Sequence, residues 1–172
     1  MQSNFEGSSD RPSERLQAIN TLLGEEHYGV LATTSHQYAG FPFASLCQFA
    51  VESSGNLLIL VSGLAEHAKN LRADPKASLY IQQASEEGDP QDSARVCVLV
   101  RVFPVERDEM EAAADTYLSR FPGATMQLSL GDFYFLRLVP EHIRMIQGFG
   151  SMFWMHAPEY RSGCVDDDPT AG

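Results

Sequence analysis

The sequence has few basic residues and few cysteines. Its 172 residues include 12 Lys and Arg against 23 Asp and Glu, which gives a net charge of −11 at pH 7. Proteins bind nucleic acids and anionic membranes by neutralising phosphates with Lys and Arg, so this balance argues against both as partners. The three cysteines form no CxxC or Cys/His group with zinc spacing. Their odd number is typical of reduced thiols and not of a disulfide framework.

Long apolar runs and a secretory signal are also missing. No segment approaches the ~20 apolar residues of a transmembrane helix, and the N-terminus MQSNFEGSSDRPSE lacks an apolar signal core. We therefore expect a cytoplasmic protein. An apolar content of 44% is sufficient for one domain of this length. We expect a disordered N-terminal segment at 1–12, the folded domain at 13–156 and a C-terminal tail at 157–172.

Several motifs that mark common enzymes are absent. There is no GxSxG elbow, no GxGxxG after a strand and no P-loop, so the chemistries that depend on them are not predicted. The acidic clusters at 86–92 and 166–168 lack the ligand spacing of a metal site and are interpreted as solvated loops. We assign no metal site, and the sequence identifies no catalytic acid, base or nucleophile.

Short apolar segments with turn residues between them dominate what is present. Seven predicted strands cover 27–34, 43–51, 57–62, 77–83, 95–102, 133–139 and 142–149, the last two parted by Pro140. Predicted helices begin at Ser13, in the segment that carries His67, and at Asp108. Because the helices are inserted singly, the pattern favours an antiparallel barrel over a doubly wound sheet. Side chains fill a small barrel, so a ligand is expected in an outer groove or at a subunit seam.

The segment 55–81, GNLLILVSGLAEHAKNLRADPKASLYI, is predicted to form a buried strand, a short helix and a second buried strand. Unpaired N–H groups and the positive dipole end make a helix start next to a strand a candidate anion site. Leu64, Ala68 and Leu71 form the apolar stripe of this helix, so His67 lies off the core face. His67 is either an exposed helix residue or a phosphate ligand, to which Lys69 adds charge.

Three later residues each have a structural and a functional interpretation. Arg95, at a strand start, is either a solvated terminus or a contact for an anionic ligand. Trp154 is a core residue, an anchor of a dimer interface or a flat surface on which an aromatic cofactor ring stacks. His156 is either a surface residue or an axial haem ligand.

Four segments occur in a diagnostic order over residues 14–155: GVLATTS, GFPFASLCQFAVESSGNLLILVSGLAEHAKNLRADPKASLYI, GDPQDSARVCVLVRVFPV and GDFYFLRLVPEHIRMIQGFGSMFW. In this order the chain resembles the FMN-binding split-barrel proteins related to pyridoxamine 5′-phosphate oxidase, in particular the haem-utilisation or pyridoxamine-oxidase-like subgroup. The resemblance implies a mainly β Greek-key split barrel of about six antiparallel strands with a few helices. It also implies a homodimer with FMN in the clefts between subunits.

The same resemblance implies a set of cofactor-binding residues. Ser45, Leu46 and Cys47 lie on the strand whose backbone faces the flavin. Leu60 and Val61 line the isoalloxazine. His67, next to Lys69, occupies the position of a basic phosphate ligand, and Arg95 is the polar residue that starts a neighbouring strand. Trp154 completes the set as an aromatic surface.

The chain departs from pyridoxamine phosphate oxidases at Ser45 and in the segment Ala65-Glu66-His67. Ser45 stands where they carry an arginine, and Glu66 stands in their basic Ser-Arg-Lys segment, where it would repel a phosphate. We therefore predict an FMN-binding flavoprotein, an oxidoreductase for a different small-molecule substrate, in which the flavin carries the redox chemistry. The alternative is a flavin-less split-barrel dimer that binds haem or a protein partner.

Overall fold

The computed structural model of the protein describes residues 12–84, 89–148 and 150–164, and most of the two acidic clusters lies outside these ranges. The helices are α1 (Pro12–Glu25), α2 (Glu66–Ala73), α3 (Met110–Arg120), α4 (Thr125–Ser129) and α5 (Ala157–Ser162). The strands are β1 (Tyr28–Thr34), β2 (Pro42–Gln48), β3 (Ala50–Val51), β4 (Leu57–Ser62), β5 (Lys76–Gln82), β6 (Arg95–Pro104), β7 (Phe133–Gln147) and β8 (Ser151–His156). No helix in the described ranges is both long and apolar enough to span a membrane.

The strands form one curled antiparallel sheet in the order β2-β1-β5-β6-β7-β4-β3, with β8 paired to β7. This arrangement confirms the predicted mainly β split-barrel fold. The core side chains alternate along the strands, as a sheet with one buried face requires. Along β6, for example, Val96, Val98 and Val100 are buried, and the residues between them are partly exposed.

The prediction of two strands parted by Pro140 is wrong, because β7 is one strand of 15 residues. Proline has no N–H group for the ladder, so a strand interior accepts it best next to a bulge. Here the register shifts between Leu99 and Val100 on β6, which pair with His142 and Pro140. Glu141 is therefore the extra residue of a bulge that accommodates the proline.

The C-terminal part of the folded chain extends further than the sequence indicated. Strand β8 was not predicted, although Phe153 and Met155 are buried and Met152 and Trp154 are exposed, the alternation of a strand. Helix α5 lies in the segment that we assigned to the tail. Its Tyr160 is fully buried and packs in the same core as α1.

The core consists of two clusters on opposite faces of β4. Leu57, Ile59 and Val61 pack in the larger cluster with α1 and α5. Leu58 packs in the smaller cluster, where Tyr117 of α3 lies against Phe135 with ring centroids 5.3 Å apart. Since β4 is covered on both faces, it is a central element of the molecule, and among the described strands it pairs with β3 and β7.

One ion-pair network attaches α3 to the sheet. Arg137 of β7 donates to Glu52 at 2.8 and 2.9 Å and to both carboxylate oxygens of Glu109 at 2.8 and 2.9 Å. These charge-assisted bonds raise the pKa of Arg137 above its ordinary value and lower that of Glu109. Glu109 is the residue before α3, so the network fixes where that helix begins.

A buried amide attaches α2 to β1. The buried residues of α2 are Ala68, Asn70 and Leu71, whereas Leu64, which we placed on its apolar stripe, is 77% exposed in the preceding turn. Asn70 donates from its Nδ2 to Oγ1 of Thr33 at 3.0 Å and accepts the backbone N–H of His36 on its Oδ1 at 2.8 Å. Buried polar groups need such partners, and here the partners define the position of the helix.

Replacing Asn70 by alanine should lower the free energy of unfolding by about 1–3 kcal/mol, because the partly buried partners lose their bonds. Urea denaturation followed by circular dichroism measures this change. Asn20→Ala is the matched control, since Asn20 is exposed on α1, and we expect a change within about 0.5 kcal/mol there. Equal effects of the two substitutions would contradict the role of Asn70.

Candidate functional site

A groove of about 240 Å³ opens where β2 and β4 approach each other beneath α3 and α4. The curl of the sheet brings β2 and β4 together although they lie far apart in the strand order. Ten residues line the groove: Tyr28, Leu46, Cys47, Gln48, Leu60, His67, Tyr117, Ala124, Gln127 and Phe133. Most of these side chains are apolar or aromatic, which is typical of the walls of a cofactor site.

Four of the nine predicted cofactor residues line this groove, namely Leu46, Cys47, Leu60 and His67. Strand geometry explains why Val61 does not. Successive side chains on a strand point to opposite faces, so Leu60 faces the groove while Val61 is 2% exposed in the larger core cluster. Only the backbone of Val61 is available to a cofactor. Ser45 is half-buried on β2 opposite Leu31 and is not part of the groove wall.

The remaining predicted residues lie elsewhere. Lys69 is ion-paired with Glu66 at 3.3 Å, one helical turn away. Arg95 donates to the carbonyl oxygens of Gln91 at 2.6 Å and Ser93 at 3.3 Å, so the structure does not bring it to His67. Trp154 is 51% exposed on β8, and it belongs to a different surface.

Among the titratable side chains that line the groove, His67 is the one best suited to act as a ligand for a metal or a cofactor. It is half-buried, and this desolvation lowers the pKa of its imidazole from 6.5. The ring is therefore neutral at pH 7, with one nitrogen lone pair and one N–H. A neutral imidazole is a metal ligand, and it provides no positive charge for a phosphate.

Two other groups in the groove are held in their protonated forms. Burial raises the pKa of the Cys47 thiol to about 12, so it is neither a thiolate ligand nor a nucleophile at neutral pH. Burial likewise raises the pKa of Tyr117 to about 12. All three cysteines are free in the structure.

Tyr117 and Phe133 are groove residues that the sequence did not identify. Tyr117 is 2% exposed in the smaller core cluster. Its second role, as a wall of the groove, depends on where α3 lies on the sheet. No local pattern encodes that placement, because the contact joins α3 to strands 50 or more residues earlier in the chain.

A row of cross-strand neighbours runs over the outer face of the sheet, away from the core. The pairing register connects Leu46, Val30, Tyr80, Cys97, Arg144 and Trp154 across six strands. Leu46 and Trp154, at the two ends, are 70% and 51% exposed. The Arg144 guanidinium lies 5.5 Å from the centroid of the Trp154 ring. Because Leu46 also lines the groove, this row begins at the candidate site.

Comparison with known proteins agrees with this architecture. The chain matches the family described as CREG, beta-barrel over residues 12–162. It is 32% identical over 157 residues to the non-canonical heme oxygenase HOZ, chloroplastic, of Arabidopsis thaliana, over 88% of this chain and 47% of that protein. The heme binding protein from Mycobacterium smegmatis has a similar structure, with a TM-score of 0.79 and 31% identity over 86% of this chain and 60% of that one.

A putative pyridoxamine 5′-phosphate oxidase from Listeria innocua shares the fold, with a TM-score of 0.60 and 19% identity over 78% of this chain and 100% of that one. The resemblance to this class of split barrels is thereby confirmed. The chain spans about half the length of the curated relatives that it matches. Because the family match extends over nearly all of the described residues, the protein belongs to the CREG beta-barrel family.

Proposed function

We propose that the protein binds haem in the groove between β2, β4, α2 and α3, at a seam between two copies of the chain. The observation that carries this proposal is the position of His67, a half-buried imidazole in a groove that the apolar side chains of Leu46, Leu60 and Phe133 also line. A neutral imidazole is a common axial ligand of haem iron. HOZ and the mycobacterial heme binding protein, each more than 30% identical to this chain, support haem as the cofactor.

The residues of the groove fit a haem group better than a phosphorylated flavin. Leu46, Leu60 and Phe133 offer apolar surface to a macrocycle, and His67 offers a nitrogen lone pair. For FMN the cations are poorly placed, because Lys69 is paired with Glu66 and Arg95 is bonded to backbone carbonyls. When bound, haem iron supplies redox and oxygen chemistry, which the protein adjusts through the axial ligand and the polarity of the pocket.

The size of the groove supports a site shared by two subunits. At about 240 Å³ it is smaller than the roughly 300–1,000 Å³ of typical ligand pockets. A second copy packed on the outer-face row would bring further surface next to Leu46. Exposed apolar rows of this kind mark interaction surfaces, and a symmetric dimer would cover the row with the same row of its partner.

FMN remains the second candidate, and the start of α2 is the observation in its favour. Ala65, the residue before the helix, makes no side-chain capping bond to the free N–H groups of the first turn. Such groups bind phosphates. In this case the protein would act as an FMN-dependent oxidoreductase, and His67 would donate its N–H to the cofactor phosphate.

Haem titration of the purified apo-protein tests the first proposal, with the Soret band as the readout. We expect saturable binding that weakens at least tenfold in His67→Ala, since even loss of an outer-shell partner costs about 10–100-fold in metal affinity. Added imidazole should restore the Soret band of this variant by replacing the missing ligand. His36→Ala is the control, because His36 is exposed and is not part of the groove wall. Unchanged haem binding in His67→Ala would contradict the assignment.

Flavin fluorescence tests the FMN candidate. If FMN binds, Glu66→Lys should tighten binding about tenfold or more, because a like charge is removed and a charge-assisted contact contributes about 1.5–3 kcal/mol. Glu25→Lys makes the same change in net charge at an exposed position of α1 and should have no such effect. If wild type and Glu66→Lys both leave FMN fluorescence unchanged, the flavin hypothesis is wrong.

Sedimentation velocity tests the dimer. We expect a dimer at micromolar concentration, and we expect Val30→Glu to shift it to monomer, because a charge would then be buried within the row, next to Leu46. Met126→Glu introduces the same charge at an exposed site of α4, outside the row, and should remain dimeric. A folded wild-type monomer at this concentration would rule out the proposed seam.

A further inference from the structure

His142 and His156 form a close pair that the groove does not use. They are directly opposite each other on β7 and β8, and their Nδ1 atoms are 3.0 Å apart. The rings meet edge to face, with centroids 5.1 Å apart and an interplanar angle of 83°. Both side chains are exposed on the outer face of the sheet, so their nitrogens are accessible from solvent.

The separation of the two nitrogens matches that of two ligands on one metal ion. With metal–nitrogen distances of about 2.0–2.1 Å and bond angles near 90–110°, two such ligands lie about 2.9–3.4 Å apart. Without a metal, a contact of 3.0 Å between two imidazole nitrogens requires one proton between them. A cation bound by both nitrogens would displace this proton and accept both lone pairs, at a nitrogen–nitrogen separation that the pair already has.

The backbone on both sides of the pair is held in place. His156 ends β8, which pairs with β7 along its whole length, and α5 begins at the next residue. Tyr160 of α5 is fully buried, and Arg161 donates to the carbonyl oxygen of Pro140 at 3.1 Å. The two imidazoles therefore project from a rigid frame, which reduces the entropy that metal binding would cost.

We propose that His142 and His156 chelate a divalent transition metal, Cu²⁺, Ni²⁺ or Zn²⁺, which are the ions that imidazole ligands favour. The carboxylate of the adjacent Glu141 is engaged by Arg101 at 2.9 Å. Within the described ranges no group of three or more His, Cys, Asp or Glu side chains comes together. Water or a small external ligand fills the other coordination positions. His142 also lines a separate groove of about 500 Å³ with Lys76 and Ser78, where such a ligand has room.

The test uses the untagged protein without haem, titrated with CuCl₂, NiCl₂ and ZnCl₂ by isothermal calorimetry. We expect one ion per chain, with Cu²⁺ bound most tightly, as the general order of divalent metal affinities requires. His142→Ala and His156→Ala should each weaken binding at least tenfold. The electron paramagnetic resonance spectrum of bound Cu²⁺ should show superhyperfine splitting from two nitrogens in wild type. In each of the two alanine variants it should show splitting from one nitrogen. His36→Ala is the control and should bind as wild type, since His36 is exposed and is assigned to neither site.

Three results would overturn this proposal. The first is the absence of saturable binding below millimolar metal, and the second is equal metal affinity in wild type and His142→Ala. The third is loss of the Soret band when His142→Ala is titrated with haem, because the pair would then belong to the haem site. An unchanged Soret titration of His142→Ala, together with lost Cu²⁺ binding, supports two independent sites.

Discussion

The buried amide of Asn70 is the constraint on which the candidate site depends. Helix α2 has eight residues, and its most buried polar side chain bonds to the end of β1. An amide sealed from water has to keep these partners, so it restricts the rotation and the position of the helix on the sheet. His67 is three residues earlier in the same helix. Its place in the groove therefore depends on the hydrogen bonds that Asn70 makes one helical turn away.

The protonation states in the groove follow from the same packing. Tyr117 and Phe133 cover the site, and the Arg137 network fixes the start of the helix that carries Tyr117. The resulting desolvation disfavours every charged form, so the imidazole, the thiol and the phenol all stay neutral. A groove in which these groups are neutral, and in which an imidazole nitrogen lies beside apolar side chains, is suited to a hydrophobic macrocycle. It is less suited to a cofactor whose recognition depends on a doubly charged phosphate.

The fold could be predicted from the sequence to a large extent, and the site only in part. Short apolar segments and turn residues located β1, β4, β5 and β6 to within two residues. Pro140 suggests a strand break that does not occur, because the bulge that accommodates it lies in the pairing with β6, outside any local pattern. Leu46, Cys47, Leu60 and His67 were identified from the resemblance and meet in the groove. Arg95 and Trp154 do not, since their distance from α2 depends on the register and curl of the whole sheet.

The pairing of β4 with β7 has a consequence for how the chain acquires its structure. Leu57 pairs with Leu138, so a ribosome must complete most of the sequence before β4 gains its main partner. Until then, β4 carries apolar side chains on both faces and one unpaired edge, features that favour association between incomplete chains. Contacts of such high sequence separation also slow folding. The step that completes the sheet is therefore the one at which we expect chaperone dependence and misfolding to concentrate.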